Sequence, residues 1–161
     1  GKPEESARLA RELVNSDGCI AVFDCDTSAA SFAIQEVAKD LGMLTFHTAE
    51  TSLLTADPKI RLPNAFRTAR QTIHDGIVAG SYAAKVAKEK KLIKWMGCSP
   101  DYAYGRESNQ LFFEYTKHFF KDIEVIGESW PKLFQADYTE QLTKILQAKP
   151  DAISSARSLP G

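Results

Sequence analysis

The sequence predicts an α/β protein built on parallel sheets, and three observations carry that reading. Short apolar runs of β type alternate with segments of helical period along the whole chain. The first such run, residues 19–23, is continuously apolar, as a strand covered by helices is. Helix-stopping residues, Gly18 and Gly42 among them, fall where the helical periods end. At 161 residues and 43% hydrophobic content the chain can bury a real core, in one ordinary domain or two small ones. Twenty Lys+Arg against twenty-one Asp+Glu leave a net charge of -1, so nothing draws it toward nucleic acid or an anionic membrane. No stretch approaches the roughly 20 apolar residues of a membrane span. The opening residues, Gly1 to Glu5, lack the build of a signal peptide.

The elements follow in order. Residues 3–15 place Ala7, Ala10, Leu13 and Val14 on one stripe, with Pro3, Glu4 and Glu5 in the first turn, where a helix favours them. Asp17-Gly18 ends that helix, and residues 19–23 form a strand. A second helix starts near Ser28 and turns Ala30, Ala33, Ile34, Val37, Ala38 and Leu41 inward. Residues 43–46 are a short strand. Residues 47–64, rich in Thr, Ser, Asp and Pro, read as a long loop, and loops of that length in compact domains tend to be functional. A brief strand at 65–67 precedes a long helix over 73–91, whose basic end, Lys88 to Lys91, suits a helix carboxyl terminus.

The second half repeats the scheme. A strand over 92–96 leads through a loop to a helix carrying Leu111, Phe112, Tyr115 and Phe119, and a strand over 123–126 follows. A helix with Leu142, Ile145 and Leu146 and a strand beginning at Pro150 complete it. The break near Arg70 to Thr72 is the boundary expected between two α/β units.

Cys19 and Cys25 share one strand-like stretch, where about 3.3 Å per residue holds them well beyond the ~7 Å that a disulfide allows. With Cys98 they read as buried or strand-end thiols, and no CxxC pair offers a zinc or redox site. The stock phosphate-loop, dinucleotide, zinc-protease, calcium and serine-hydrolase motifs are absent. His47, His74 and His118 are scattered over three elements and read as packed or surface residues, and Trp95 and Trp130 as core.

The sharpest local signal is Phe23-Asp24-Cys25-Asp26-Thr27-Ser28, an apolar strand ending in Asp-x-Asp. It resembles the first motif of haloacid-dehalogenase-type phosphatases, which would make Asp24 a nucleophile and Asp26 a general acid/base beside magnesium. No later acidic pair at a strand end completes such a metal site. The plainer reading is that these residues supply turn and cap chemistry for the next helix.

Several segments taken together resemble the type I periplasmic binding proteins, the solute receptors of ABC importers for branched-chain amino acids, amides and urea. They are Asp24-Cys25-Asp26-Thr27-Ser28-Ala29, Thr48-Ala49-Glu50-Thr51-Ser52, Phe66-Arg67-Thr68, the run from Asp101-Tyr102-Ala103-Tyr104-Gly105 to Asn109, Asp137-Tyr138-Thr139, and Pro150-Asp151-Ala152-Ile153. Their order and spacing match the family from about residue 2 to 153. The resemblance implies parallel three-layer α/β units forming two incomplete lobes, residues 1–72 from lobe one and 73–161 from lobe two. It implies a periplasmic, non-enzymatic protein without a cofactor, working with ABC transporter permease subunits on a small-molecule solute; a sensor domain of the same fold is the blander alternative.

By the same resemblance Ser28 offers a hydroxyl to the solute's polar head, Ala49 its backbone carbonyl, Thr51 a hydroxyl, and Tyr104 the aromatic that lobe two brings down. A helix opening at Ser28 suits an anion or a carbonyl oxygen, and a tyrosine brings both flat apolar area and a hydroxyl. The chain departs from the family at Asp24, where glycine is common, and at Asp26. Two acids there would repel a carboxylate head, which makes an amide, amine or hydroxyl head equally expected. The family is also considerably longer, so this chain resembles the middle of a receptor. Open sheet edges and uncovered helix faces then lead to an expectation of self-association.

Overall fold

The computed structural model describes residues 2–24, 27–49, 51–132 and 135–156. The chain divides into two compact units, Gly1–Gln71 and Thr72–Gly161, with Thr72 in the second unit, one residue before the boundary drawn from the sequence.

The first unit runs α1 (Pro3–Asn15), β1 (Ala21–Phe23), α2 (Ser28–Leu41), β2 (Leu44–His47), α3 (Leu53–Ala56) and β3 (Ala65–Arg67). Its strands form one parallel sheet in the order β1-β2-β3. Pro3 supplies a fixed φ at the start of α1, and Glu4 and Glu5 occupy the first turn, whose free N–H groups favour negative charge. Ala10 of α1 packs with Val22 of β1 and with Ile34, Val37 and Ala38 of α2, so both helices cover the same face of the sheet. Gly42 closes α2 with a φ of 64°, a left-handed conformation open to glycine at no steric cost.

The opposite face carries Phe23, Phe46 and Phe66, paired in register across the three strands. Phe23 and Phe46 stack with centroids 4.5 Å apart, Phe46 and Phe66 at 5.9 Å, and the outer two rings are largely exposed. The expected strand at 19–23 starts only at Ala21 and leaves Ile20 88% exposed. The loop expected over 47–64 contains the single helical turn α3, whose Leu54 is fully buried.

The second unit runs α4 (Thr72–Lys90), β4 (Lys94–Cys98), α5 (Ala103–Phe119), β5 (Glu124–Ser129), α6 (Thr139–Ala148) and β6 (Ala152–Ser154), with a parallel sheet in the order β5-β4-β6. Ala83 and Ala87 of α4, Trp95 of β4, Phe113 of α5 and Ile123 form its core. Gly76 and Gly80 let α4 lie directly on the backbone of α5. On α6, Leu142 and Leu146 are exposed, and Gln141 is the residue it buries. No helix among the described residues is long and apolar enough to cross a membrane.

Candidate functional site

The carboxyl ends of β1, β2 and β3 line up in the first unit, and their register decides which side chains meet there. His47 stands opposite Arg67 in the β2–β3 ladder. The β1–β2 ladder continues one residue past Phe23, because the Asp24 N–H donates to the carbonyl of Phe46 at 3.0 Å. Asp24, His47 and Arg67 therefore form one row across the end of the sheet.

Asp24 and His47 are both buried, and His47 Nδ1 donates to Asp24 Oδ2 at 2.5 Å. The other carboxylate oxygen, Oδ1, accepts the Thr48 N–H at 2.8 Å, while the Thr48 hydroxyl donates to the Asp24 main-chain carbonyl. Burial by itself would raise the Asp24 carboxyl. The hydrogen bonds from His47 and Thr48, with Ser31 close by, outweigh it and hold the group below its ordinary value. His47 Nε2 is buried and has no partner among the described residues.

Arg67, at the end of β3, wraps the next stretch of chain. Its Nη1 donates to the carbonyl of Ala49, its Nη2 to the carbonyl of Thr51, and its Nε reaches the Thr55 hydroxyl on α3 at 3.4 Å. The Thr68 N–H bonds the His47 carbonyl at 3.0 Å, and Gln35 Nε2 holds the carbonyls of Leu54 and Ile60 at 3.2 and 2.7 Å.

Three of the four residues singled out in the sequence lie at this end of the first unit. Ser28 is buried as the first residue of α2, and the cap is Thr27, whose hydroxyl accepts the Ala30 N–H at 3.4 Å. Ala49 is buried and Thr51 fully so. The Ala49 carbonyl, expected to face a solute, already accepts from Arg67 and keeps one lone pair for anything else.

Tyr104 belongs to the second unit. It stands in the first turn of α5, half-buried, with its ring 5.9 Å from that of Tyr102. It borders a cavity of about 240 Å³ together with Thr72, Asp75, Ser108, Asn109 and Ser154. Gly105 allows the Pro100 carbonyl to press against the helix, a space that any Cβ would fill. Arg106 pairs with Asp101 at 2.7 Å and stacks 3.8 Å over the Trp130 ring, so Trp130, expected in the core, is half-buried beneath a guanidinium.

The phosphatase reading fares poorly on this geometry. Asp24 is buried and both its oxygens already accept hydrogen bonds inside the fold, which places it poorly for attack on a phosphorus atom. Asp26 and Cys25 lie outside the described residues. Among the described residues no cluster of His, Cys, Asp or Glu is arranged to hold a metal ion.

Sequence reasoning missed His47 and Arg67 as partners of the site. The signal was the register: the offset that pairs Ala21 with Leu44 also carries Asp24 onto His47.

Comparison with known proteins places this architecture. The model of a family described as periplasmic binding protein matches residues 1–158. The fold is similar to that of an ABC transporter solute binding protein from Rhodopseudomonas palustris BisB5 in complex with 3,4-dihydroxybenzoic acid. That similarity is 26% identity and a TM-score of 0.80 over 96% of this chain and 40% of that one. An R. palustris solute binding protein in complex with benzoate gives 22% identity and 0.82 over 98% and 42%. An ABC transporter substrate-binding protein from Sphaerobacter thermophilus gives 25% and 0.73 over 96% and 41%. The chain thus spans about two fifths of the length of these structures. No curated protein matches it.

Proposed function

The chain belongs to the periplasmic binding protein family, and from that premise we propose that it is part of the extracytoplasmic solute-binding component of an ABC importer. In this reading residues 1–72 contribute to lobe one and 73–161 to lobe two, a small polar solute is held between the lobes, and the permease subunits are the partners. For the chain on its own, the aromatic face with the exposed Phe23 and Phe66 supports contact with a second copy.

The observation that carries the reading is the polar end of the first sheet. The helix α2 begins there at the buried Ser28, beside the anchored stretch that bears Ala49 and Thr51. A helix amino terminus and a fixed hydroxyl suit the anionic or carbonyl head of a small molecule. Asp24 is buried with its oxygens already accepting from His47 and the Thr48 N–H, which weakens its argument against a carboxylate solute. The similar solute binding proteins from R. palustris are complexes with benzoate and 3,4-dihydroxybenzoic acid, which supports an aromatic acid as the first solute to try. Amino acids, amides and urea follow, as the sequence resemblance suggested.

Calorimetry on the full reading frame against benzoate, 4-hydroxybenzoate, branched-chain amino acids, amides and urea tests this. One member of the panel is expected to bind. Thr51→Ala and Tyr104→Ala are each expected to weaken it by about 1–3 kcal/mol through lost hydrogen bonds and ring contact. Binding as tight as the parent's in both variants would remove Thr51 and Tyr104 from the site.

A further inference from the structure

Building on the assignment of Ala49 and Thr51 to the solute site, we propose that Arg67 is its positioning residue, fixing the main chain of both from behind and thereby setting where the Thr51 hydroxyl stands.

Among the described residues between β2 and α3, Thr48, Ala49, Thr51 and Ser52 belong to no helix or strand. The Arg67 guanidinium reaches this stretch. Two of its carbonyls, those of Ala49 and Thr51, accept from the two Nη atoms, and Thr55 on the following turn meets Nε. A guanidinium is planar and its donors point in fixed directions, so two carbonyls on its edge lose the freedom to swing their peptide planes. A lysine keeps the charge and has three donors, but they sit on one rotatable ammonium and impose no plane on the two carbonyls.

The same stretch is anchored at its start by the opposite charge, since the Asp24 carboxylate accepts the Thr48 N–H. Each ion meets main-chain groups of complementary polarity: the anion takes an N–H and the cation gives to carbonyls. The two anchors are themselves joined, through the His47–Asp24 hydrogen bond and the His47–Arg67 ladder position. A stretch held this way is ordered before any solute arrives, so binding does not bear the cost of ordering it. Arg67 itself touches no solute in this assignment; it acts through Ala49 and Thr51.

The test compares Arg67→Lys, Arg67→Met and Thr55→Val with the parent by ¹⁵N relaxation of the chain. In the parent, Ala49 and Thr51 are expected at order parameters of about 0.85; in Arg67→Lys and Arg67→Met they are expected to fall below about 0.6, with the rest of the unit unchanged. In the full reading frame, Arg67→Lys is expected to weaken the bound panel member about ten-fold or more, because retained charge does not restore the fork. Unchanged order at Ala49 and Thr51 in both Arg67 variants overturns the proposal, whether or not any solute binds. A parent that binds nothing in the panel, with the loss of order still seen, sinks the solute reading and leaves Arg67 as the organiser of this stretch. Should Arg67→Met lose its dispersed spectrum, Arg67→Lys and Thr55→Val decide by the same two order parameters.

Discussion

Replacing His47 by alanine is expected to cost the first unit about 3 kcal/mol or more, the penalty for leaving a buried carboxylate without its hydrogen-bond donor. Both side chains are fully enclosed and meet at 2.5 Å. Without the imidazole, Asp24 keeps the Thr48 N–H but loses its strongest support, and burial then pushes its carboxyl up instead of being outweighed. An imidazole-sized void adds to the loss. His47→Gln, which restores a donor, is expected to recover part of it. Urea unfolding followed by amide signals of the first unit measures this; tryptophan fluorescence would not, because Trp95 and Trp130 both lie in the second unit. A loss under about 1 kcal/mol would show that the pair does not hold this end of the sheet.

The pH dependence has a definite sign. Asp24 titrates below its ordinary value of 3.8 in the folded chain. Its contribution is therefore fully present above the unfolded value and is lost as pH falls through the lower folded one. Parent and Asp24→Asn stabilities should converge in that acid window and separate above pH 4 or so. Equal stability at neutral pH would contradict the pair's role.

Where local pattern decides structure, the sequence was legible. The helix over 3–15 follows from Pro3, two first-turn acids and an apolar stripe, and it forms over Pro3–Asn15. The alternation of apolar runs and helical periods reports parallel α/β units, and the two parallel sheets follow. The pattern fails where polar residues are buried. The inward stripe of α2 was read as purely apolar, yet Ser28, Ser31 and Gln35 also lie on buried positions, because Asp24 and the α3 turn give polar groups something to meet. Conversely, Leu142 and Leu146 share a face of α6 and are exposed, since periodicity shows which residues share a face and not whether anything covers it.

At the candidate site, Ser28, Ala49 and Thr51 were named from a resemblance, while Asp24 was read as a turn and cap residue or a repelling charge, with no partner named for it. What Asp24 does depends on His47, 23 residues away and across a strand. That partnership is written in the ladder register, which hydrophobicity alone does not fix to the residue. Arg67 was quoted only as part of a motif for the same reason: its partners are main-chain carbonyls, which carry no sequence identity at all.

Gly80→Val is expected to destabilise the second unit by about 3 kcal/mol, and Gly80→Ala by a smaller amount of the same sign. The sign needs an argument, because alanine in a helix interior ordinarily gains up to about 1 kcal/mol over glycine. Here a Cβ on residue 80 would stand 2.7 Å from the Cβ of Tyr115 and 2.9 Å from the backbone nitrogen of Thr116. One turn earlier, a Cβ on residue 76 would meet the Cβ of Leu111 at the same 2.7 Å. These neighbours are backbone and first side-chain carbons, so no rotamer change relieves the overlap. The helix α5 has to move bodily, against the core of Trp95, Phe113 and Ile123 that it packs on. Since α5 also carries Tyr104, which we propose for the solute site, in its first turn, the displacement is expected to weaken solute binding as well as stability. Urea unfolding followed by tryptophan fluorescence reads the second unit directly, with Val78→Ala, an exposed position on the same helix, as a control expected to change little. A Gly80→Ala chain more stable than the parent would mean that propensity outweighs packing and that α4 and α5 do not approach this closely.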